Sequence, residues 1–240
     1  MTPSQAAADE IAELTPIPAE KIRVVHNGVD HQIADVDEVQ RTLEYFGLTE
    51  TPYVLWVGSV EPRKGLGTLI EAFDRLDLGK DRKAPHLVLV GPDGWLGGGH
   101  IDEAARRRLA GRLHVLGRLG DASLRSLYAG AELFAFPSLH EGFGLPLLEA
   151  MVQGTAVICS DDPALREVSG GAARLVAPRD VDAWSDALAE LLVDDEARTA
   201  LAMAGSARAQ SFSWESCVRA TRAVYAEALG LDPPAAIASR

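Results

Sequence analysis

The sequence predicts an α/β protein with a doubly wound parallel sheet and a helical C-terminal tail. Three observations carry this. Short apolar runs recur along the chain, they are continuous rather than alternating, and helical patterns lie between them. A continuous apolar run suits a strand covered on both faces. Strands that alternate with helices through short loops build parallel sheets.

The elements follow in order. Strands are expected at residues 21–26, 53–57, 86–90, 113–116, 133–136, 156–159 and 174–176, each bounded by turn formers or other breakers. Between them, helices are expected at 67–76, 102–111, 121–129, 145–154 and 181–192. Residues 3–14 also read as a helix, outside the alternation, and Pro16 and Pro18 stiffen the connection after it. From 181 to 230 helix follows helix, and Ser213 before Trp214-Glu215 reads as an N-cap. Residues 97–99 are three glycines at a flexible loop tip, and 232–240 read as a frayed end. No internal repeat or low-complexity tract is evident.

Bulk properties bound the function. The chain has 240 residues, 47% of them hydrophobic, enough for a sizeable core in one large domain or two small ones. A formal net charge of -12 argues against wrapping nucleic acid or coating an anionic membrane. Residues 1–50 hold ten Asp/Glu against three Lys/Arg, so any useful basic charge is local, as at Arg63-Lys64. Two cysteines, Cys159 and Cys217, make neither a disulfide framework nor a structural zinc site, and Cys159 reads as a buried thiol. No run approaches the roughly 18 apolar residues of a membrane span. The N-terminus lacks the basic-then-apolar order of a signal peptide, so a cytoplasmic location is expected.

Chemistry concentrates in two places. His140 to Ala150 reads HEGFGLPLLEA, directly after the run 133–136. A strand, a glycine-rich turn and a helix start form a common phosphate site, because free N–H groups at the helix start favour an anion. Pro146 suits the first turn of that helix. Glu141 and Glu149 stand eight positions apart at the two ends of the turn. Glu149, about one turn into the helix, suits a ribose diol, and Glu141 suits the hydroxyls of a transferred sugar. A phosphorylated ligand that also offers hydroxyls points to a nucleotide sugar. The bland alternative is a capped turn with two surface glutamates.

The second place is Gly58 to Gly65, GSVEPRKG, directly after the run 53–57. Ligands of open α/β sheets bind beyond the carboxyl ends of strands. Arg63 and Lys64 would there meet a diphosphate, the first bidentately and the second as a compact charge. The alternative is a solvated loop ahead of a helix. Competing motifs are weaker. Gly65 to Ile70 offers G-x-G but lacks the third glycine of a dinucleotide fingerprint, and it starts seven residues past Gly58. The triplets Asp35-Val36-Asp37 and Asp180-Val181-Asp182 read as solvated acids. The six histidines show no metal-ligand spacing, and no metal or other cofactor is expected. His140 suits a loop-stabilising hydrogen bond better than base work, and Ser138 lacks a nucleophile-elbow context.

With those residues in view, the chain resembles the C-terminal half of GT-B fold, family 4 retaining glycosyltransferases. The E-x7-E motif from Glu141 to Glu149 carries the likeness. KIRVVHNGVD from Lys21, YVLWVGSVEPRKG from Tyr53, LVLVGPDGW from Leu87, the long stretch from Leu113 to Ala173 and FSWE at Phe212 extend it over nearly the whole chain. It is most similar to the EPRK-type subgroup, which includes mannosyltransferases.

The resemblance implies a Rossmann-like domain that binds a GDP- or UDP-linked sugar. It implies that Arg63 and Lys64 bind the diphosphate, with Gly58 and Ser59 beside them, and that Glu149 holds the ribose. Glu141, with the backbone of Gly142, Phe143, Gly144 and Leu145, would orient the sugar, making Arg63, Lys64 and Glu141 the expected catalytic set. Arg118 and Leu119, with Gly117, would frame the base. Many relatives carry an Arg where this chain has Ser59, so Arg63 is expected to take that charge role. The implied division is 1–20 as the remnant of an N-terminal domain and linker, 21–211 as the donor-binding domain, 212–230 as a helix crossing back, and 231–240 as a flexible tail. The partner expected to be missing is the N-terminal acceptor domain, in cis or in trans, with room for peripheral membrane contact in a full-length enzyme. Two other functions compete with transfer: nucleotide-sugar binding without transfer, and nicotinamide-dependent oxidoreduction, which the misplaced G-x-G disfavours.

Overall fold

Six strands form the sheet: β1 Tyr53–Val57, β2 His86–Val90, β3 Leu113–Val115, β4 Leu133–Phe136, β5 Ala156–Ser160 and β6 Arg174–Val176. The computed structural model describes residues 1–79, 83–92, 107–109 and 111–231. All pairings are parallel, in the order β3-β2-β1-β4-β5-β6. Tyr53 aligns with His86, Leu55 with Phe134 and Phe136 with Cys159. Strand order therefore reverses between β1 and β4, and a crevice opens there beyond the carboxyl ends of both.

The described helices are α1 Gln5–Leu14, α2 Val36–Phe46, α3 Leu66–Asp74, α4 Asp121–Gly130, α5 Leu145–Val152, α6 Pro163–Ser169, α7 Val181–Val193, α8 Asp195–Ala209 and α9 Trp214–Leu229. Alternate side chains of the central strands β1, β2, β4 and β5 enter opposite cores. Val54 and Trp56 pack with Leu69 and Phe73 of α3 and Trp184 and Leu188 of α7. On the other face, Leu55 and Phe134 pack with Tyr128 of α4 and Leu147 and Met151 of α5. Burial on both faces is why the strands read as continuous apolar runs. Each large side chain so buried contributes roughly 1.5–3 kcal/mol relative to exposure.

Helix ends follow their cap residues. Asp35 accepts from the Asp37 and Glu38 N–H groups, and Asp180 accepts from the Ala183 N–H. The two D-x-D triplets are thus helix starts, each cap stabilising by about 1 kcal/mol. Ser213 caps α9 as predicted. Cys159 is buried and unbridged, and burial pushes its thiol up.

The expected strand at 21–26 is not one. Ala19–Lys21 forms a single 3₁₀ turn, and the rest makes one parallel bridge, Thr2 with Val24. Its backbone pairs with the N-terminal segment, where Thr2 N–H donates to Arg23 O and Val25 N–H donates to Thr2 O. Helices α2 and α6 were not predicted. The expected glycine tip at 97–99 and the tail at 232–240 lie outside the described residues, as does most of the expected helix at 102–111.

The segment at Gly28-Val29 meets the start of α9. Val29 N–H donates to Phe212 O, and a Cβ on Gly28 would stand 2.2 Å from the Trp214 nitrogen. From that junction α9 runs on with Trp214, Val218, Tyr225 and Leu229 exposed along it. No described helix is long and apolar enough to cross a membrane.

Candidate functional site

The crevice between β1 and β4 is built from bare backbone. After β1 comes a 3₁₀ turn, Pro62–Lys64, and then Gly65 with φ +64°. A Cβ on Gly65 would lie 1.9 Å from Pro137 O, so only glycine allows this approach. Leu139 N–H also donates to Arg63 O at 2.7 Å. The loops after β1 and β4 are thereby locked together. The loop after β2 joins them: a Cβ on Gly91 would lie 1.8 Å from Gly58 O, and Gly91 N–H donates to Gly117 O.

This locking brings together residues far apart in sequence. Lys64 Nζ lies 2.5 Å from Glu141 Oε1, with both side chains nearly buried at 11% and 10% exposure. The Lys64 ammonium also stands 5.4 Å from the centre of the Phe136 ring, a distance that permits a cation–π contact. Arg63 is half exposed, with Nη1 3.5 Å from the same Glu141 oxygen and Nε 3.4 Å from Glu61. Ser59 donates to Glu61 at 2.8 Å. Lys64 is thus fixed beneath the crevice and Arg63 lies over it.

Beyond Glu141, Gly142 is exposed, Phe143 is buried, and Gly144 turns with φ +105° into α5. No side chain caps the start of α5. Pro146 has no N–H and the Leu147 N–H donates to Gly144 O, so this end offers the Leu145 N–H and the positive end of the helix dipole. Glu149 lies one turn along. Its Oε2 accepts from the Tyr128 hydroxyl at 3.0 Å. Burial holds the Glu149 carboxyl above the usual range; Tyr128 opposes this and Asp121 adds to it. Burial, then the Glu149 charge, raise the Tyr128 phenol as well.

Glu149 and Tyr128 open onto a cavity of about 270 Å³. Leu124 and Leu145 give it apolar walls, Asp121 and Arg125 give it charge, and Gly28 and Trp214 close it. Its size and mixed lining suit part of a small organic ligand. Sequence reasoning missed Asp121, Arg125, Tyr128 and Trp214. Arg118 is exposed on the loop after β3, and Leu119 packs at the edge of the core. A larger cavity of about 650 Å³ lies at the opposite, amino ends of the strands, beside Pro52, Pro85 and Glu132. Its Arg198 is already paired with Glu132 and Asp195, and the strand polarity of the fold favours the other edge.

Two further groupings were not legible in the sequence. His86 Nδ1 lies 2.7 Å from His114 Nε2 on neighbouring strands, and burial lowers both imidazoles. At the carboxyl ends of β4 and β5, the buried hydroxyls of Ser138 and Ser160 have no protein partner among the described residues. Among those residues, no three His, Cys, Asp or Glu side chains converge as a metal site requires.

A doubly wound sheet with this crevice, a basic turn on one side and an acidic, glycine-led helix on the other, is the α/β fold of the C-terminal half of GT-B enzymes. Residues 44–208 match the family model described as Glycosyl transferases group 1, and the chain belongs to that family. It is 35% identical to the O-antigen chain mannosyltransferase B of Escherichia coli, over 94% of this chain and 59% of that one. Among solved structures, the sucrose-phosphate synthase of Thermosynechococcus elongatus matches with TM-score 0.76 and 26% identity, over 95% of this chain and 58% of the other. Anabaena Alr3699/HepE, solved in complex with UDP-glucose, matches with TM-score 0.79 and 21% identity, over 96% and 63%. The chain thus spans under two thirds of the length of each.

Proposed function

We infer that this chain is the donor-binding half of a retaining hexosyltransferase, with mannose as the transferred sugar. The observation that carries the reading is the Lys64–Glu141 pair set between the turn after β1 and the start of α5. The diphosphate of the donor would lie across Arg63, Lys64 and the start of α5. The ribose would meet Glu149, with the base in the cavity beside Leu124 and Asp121. Mannose is favoured because the Escherichia coli relative is a mannosyltransferase. Alr3699/HepE in complex with UDP-glucose makes a nucleoside diphosphate sugar a suitable class of ligand.

Binding would exchange partners. Lys64 leaves Glu141 for a phosphate oxygen, and the freed Glu141 carboxylate accepts from sugar hydroxyls. In the reaction the bond from the anomeric carbon to the diphosphate oxygen breaks, and the anomeric carbon bonds to the acceptor hydroxyl oxygen. Negative charge builds on the leaving diphosphate, and a diphosphate oxygen takes the proton of the acceptor hydroxyl. Arg63, Lys64 and the start of α5 stabilise that charge as it grows. In this reading 21–211 bind the donor, and the first 20 residues and 212–230 connect it to the rest.

A second reading is donor binding without transfer unless an N-terminal domain complements the chain. Its support is that every residue assigned here lies on the donor side of the crevice. Isothermal calorimetry tests the first reading: Lys64→Ala and Glu149→Ala should each weaken nucleoside diphosphate binding in a folded chain, and unchanged affinity in both sinks it. Robust transfer by the isolated chain would sink the second.

A further inference from the structure

The loop at 140–144 is held from behind by residues that the donor site does not use. The Ser4 hydroxyl donates to Gly142 O at 2.7 Å while accepting from the Ala7 N–H. Glu167 of α6 accepts from the Gln5 N–H through Oε1 at 2.9 Å and from the Ala6 N–H through Oε2 at 3.0 Å. The same Oε1 lies 2.8 Å from His26 Nε2. The His26 ring packs on Phe143 and Phe212, at centroid distances of 6.0 and 5.7 Å. Arg208 covers Phe212 and donates to the backbone carbonyls of Glu167 and Val168.

One carboxylate therefore fixes both the first turn of α1 and the imidazole that packs on Phe143. Through Ser4, the same turn holds the Gly142 carbonyl. Gly142 itself is exposed, so these contacts limit where its backbone can move. An unbraced glycine-rich loop would sample many positions, and ordering it would subtract from donor affinity.

We propose that Ser4, His26 and Glu167 brace the loop at 140–144, and that Glu167 is a positioning residue for the sugar half of the donor. The role in sugar binding rests on the donor-site reading above. The brace acts on Gly142 and Phe143, not on the cavity at Glu149. Its loss should lower the affinity gained from the sugar and leave the nucleotide contribution in place.

Two variants separate this from general destabilisation. Glu167→Ala removes the shared acceptor. Ser4→Gly keeps most of the capping at α1 but removes the hydroxyl that reaches Gly142. Hydrogen exchange of the unliganded full chain should show the 140–144 amides exchanging at least about tenfold faster in both. Calorimetry with GDP against GDP-mannose, and UDP against UDP-glucose, should show the sugar-dependent gain falling about fivefold while diphosphate affinity stays within about twofold. Unchanged exchange and an unchanged gain in both folded variants overturn the brace alone. If the wild-type chain binds none of the four nucleotides, the donor-site reading fails and the sugar-positioning role falls with it.

Discussion

Lys64 and Glu141 are 77 positions apart, yet their charged atoms meet at 2.5 Å in a nearly buried pair. Removing one partner of a buried pair leaves an uncompensated charge and costs roughly 3–5 kcal/mol. Lys64→Ala is expected to fall near the low end, at about 3 kcal/mol, because the pair retains some exposure. The double variant Lys64→Met/Glu141→Gln should lose less than the sum of its single changes. Thermal melts of the four chains form the cycle, and strict additivity would show the pair to be uncoupled.

Glu149 links stability to pH. Its folded carboxyl titrates above its unfolded value, chiefly through burial. Its stability contribution is therefore fully present below the unfolded value of roughly 4.3 and is lost as pH rises through the folded value. Glu149→Gln keeps an acceptor for Tyr128 and removes the buried charge. At pH 7 it should raise the melting temperature by about 2–4 °C, with no gain near pH 4. The same change should weaken nucleoside diphosphate binding about tenfold, since a neutral amide accepts more weakly than a carboxylate. A gain that is equal at both pH values would contradict the burial account.

Glu167 has the opposite sign. Burial would raise its carboxyl, but the Gln5 and Ala6 N–H groups and His26 outweigh that and hold it below the usual range. Its contribution is present above the unfolded value and is lost as pH falls through the depressed folded value. Melting curves of wild type and Glu167→Gln should be farthest apart near neutrality and should converge in acid below roughly pH 4. Parallel curves down to pH 3 would refute this linkage.

Gly65 separates strain from collision. Gly47 has φ +69° with open space around it, whereas Gly65 has φ +64° and Pro137 O in the way. Gly47→Ala should cost about 1–2 kcal/mol from backbone conformation alone. Gly65→Ala should cost more, about 3 kcal/mol or beyond, because the loops after β1 and β4 must separate. Chemical denaturation of the two variants compares them directly, and equal losses would show that the close approach does not matter.

Most of the sheet was legible because its central strands β1, β2, β4 and β5 are buried on both faces, and continuous apolar runs such as Leu133 to Phe136 follow from that. The run at 21–26 misled because Ile22, Val24 and Val25 have strand-like chemistry but pair only with the N-terminal segment. Helix α2 was overlooked although Asp35 and Gly47 mark its two ends. Its acids read as solvated, whereas Asp35 is the helix cap. Within the candidate site, motif spacing singled out Arg63 and Lys64, which share the turn after β1, and Glu141 and Glu149, which flank the start of α5. Their relations were not legible. The Lys64–Glu141 contact depends on two loops meeting at Gly65, and Tyr128 reaches Glu149 from a different helix. Local spacing carries no record of either.

At the crevice, three loops touch through Gly58, Gly65, Gly91 and Pro137 with no side chain between them. Such a junction leaves evolution little to adjust. Single substitutions at its glycines disrupt the platform before they can retune it. The donor preference proposed above is therefore open to tuning at positions such as Ser59, Glu61, Arg118 and Asp121, where side chains can change while the platform stays intact.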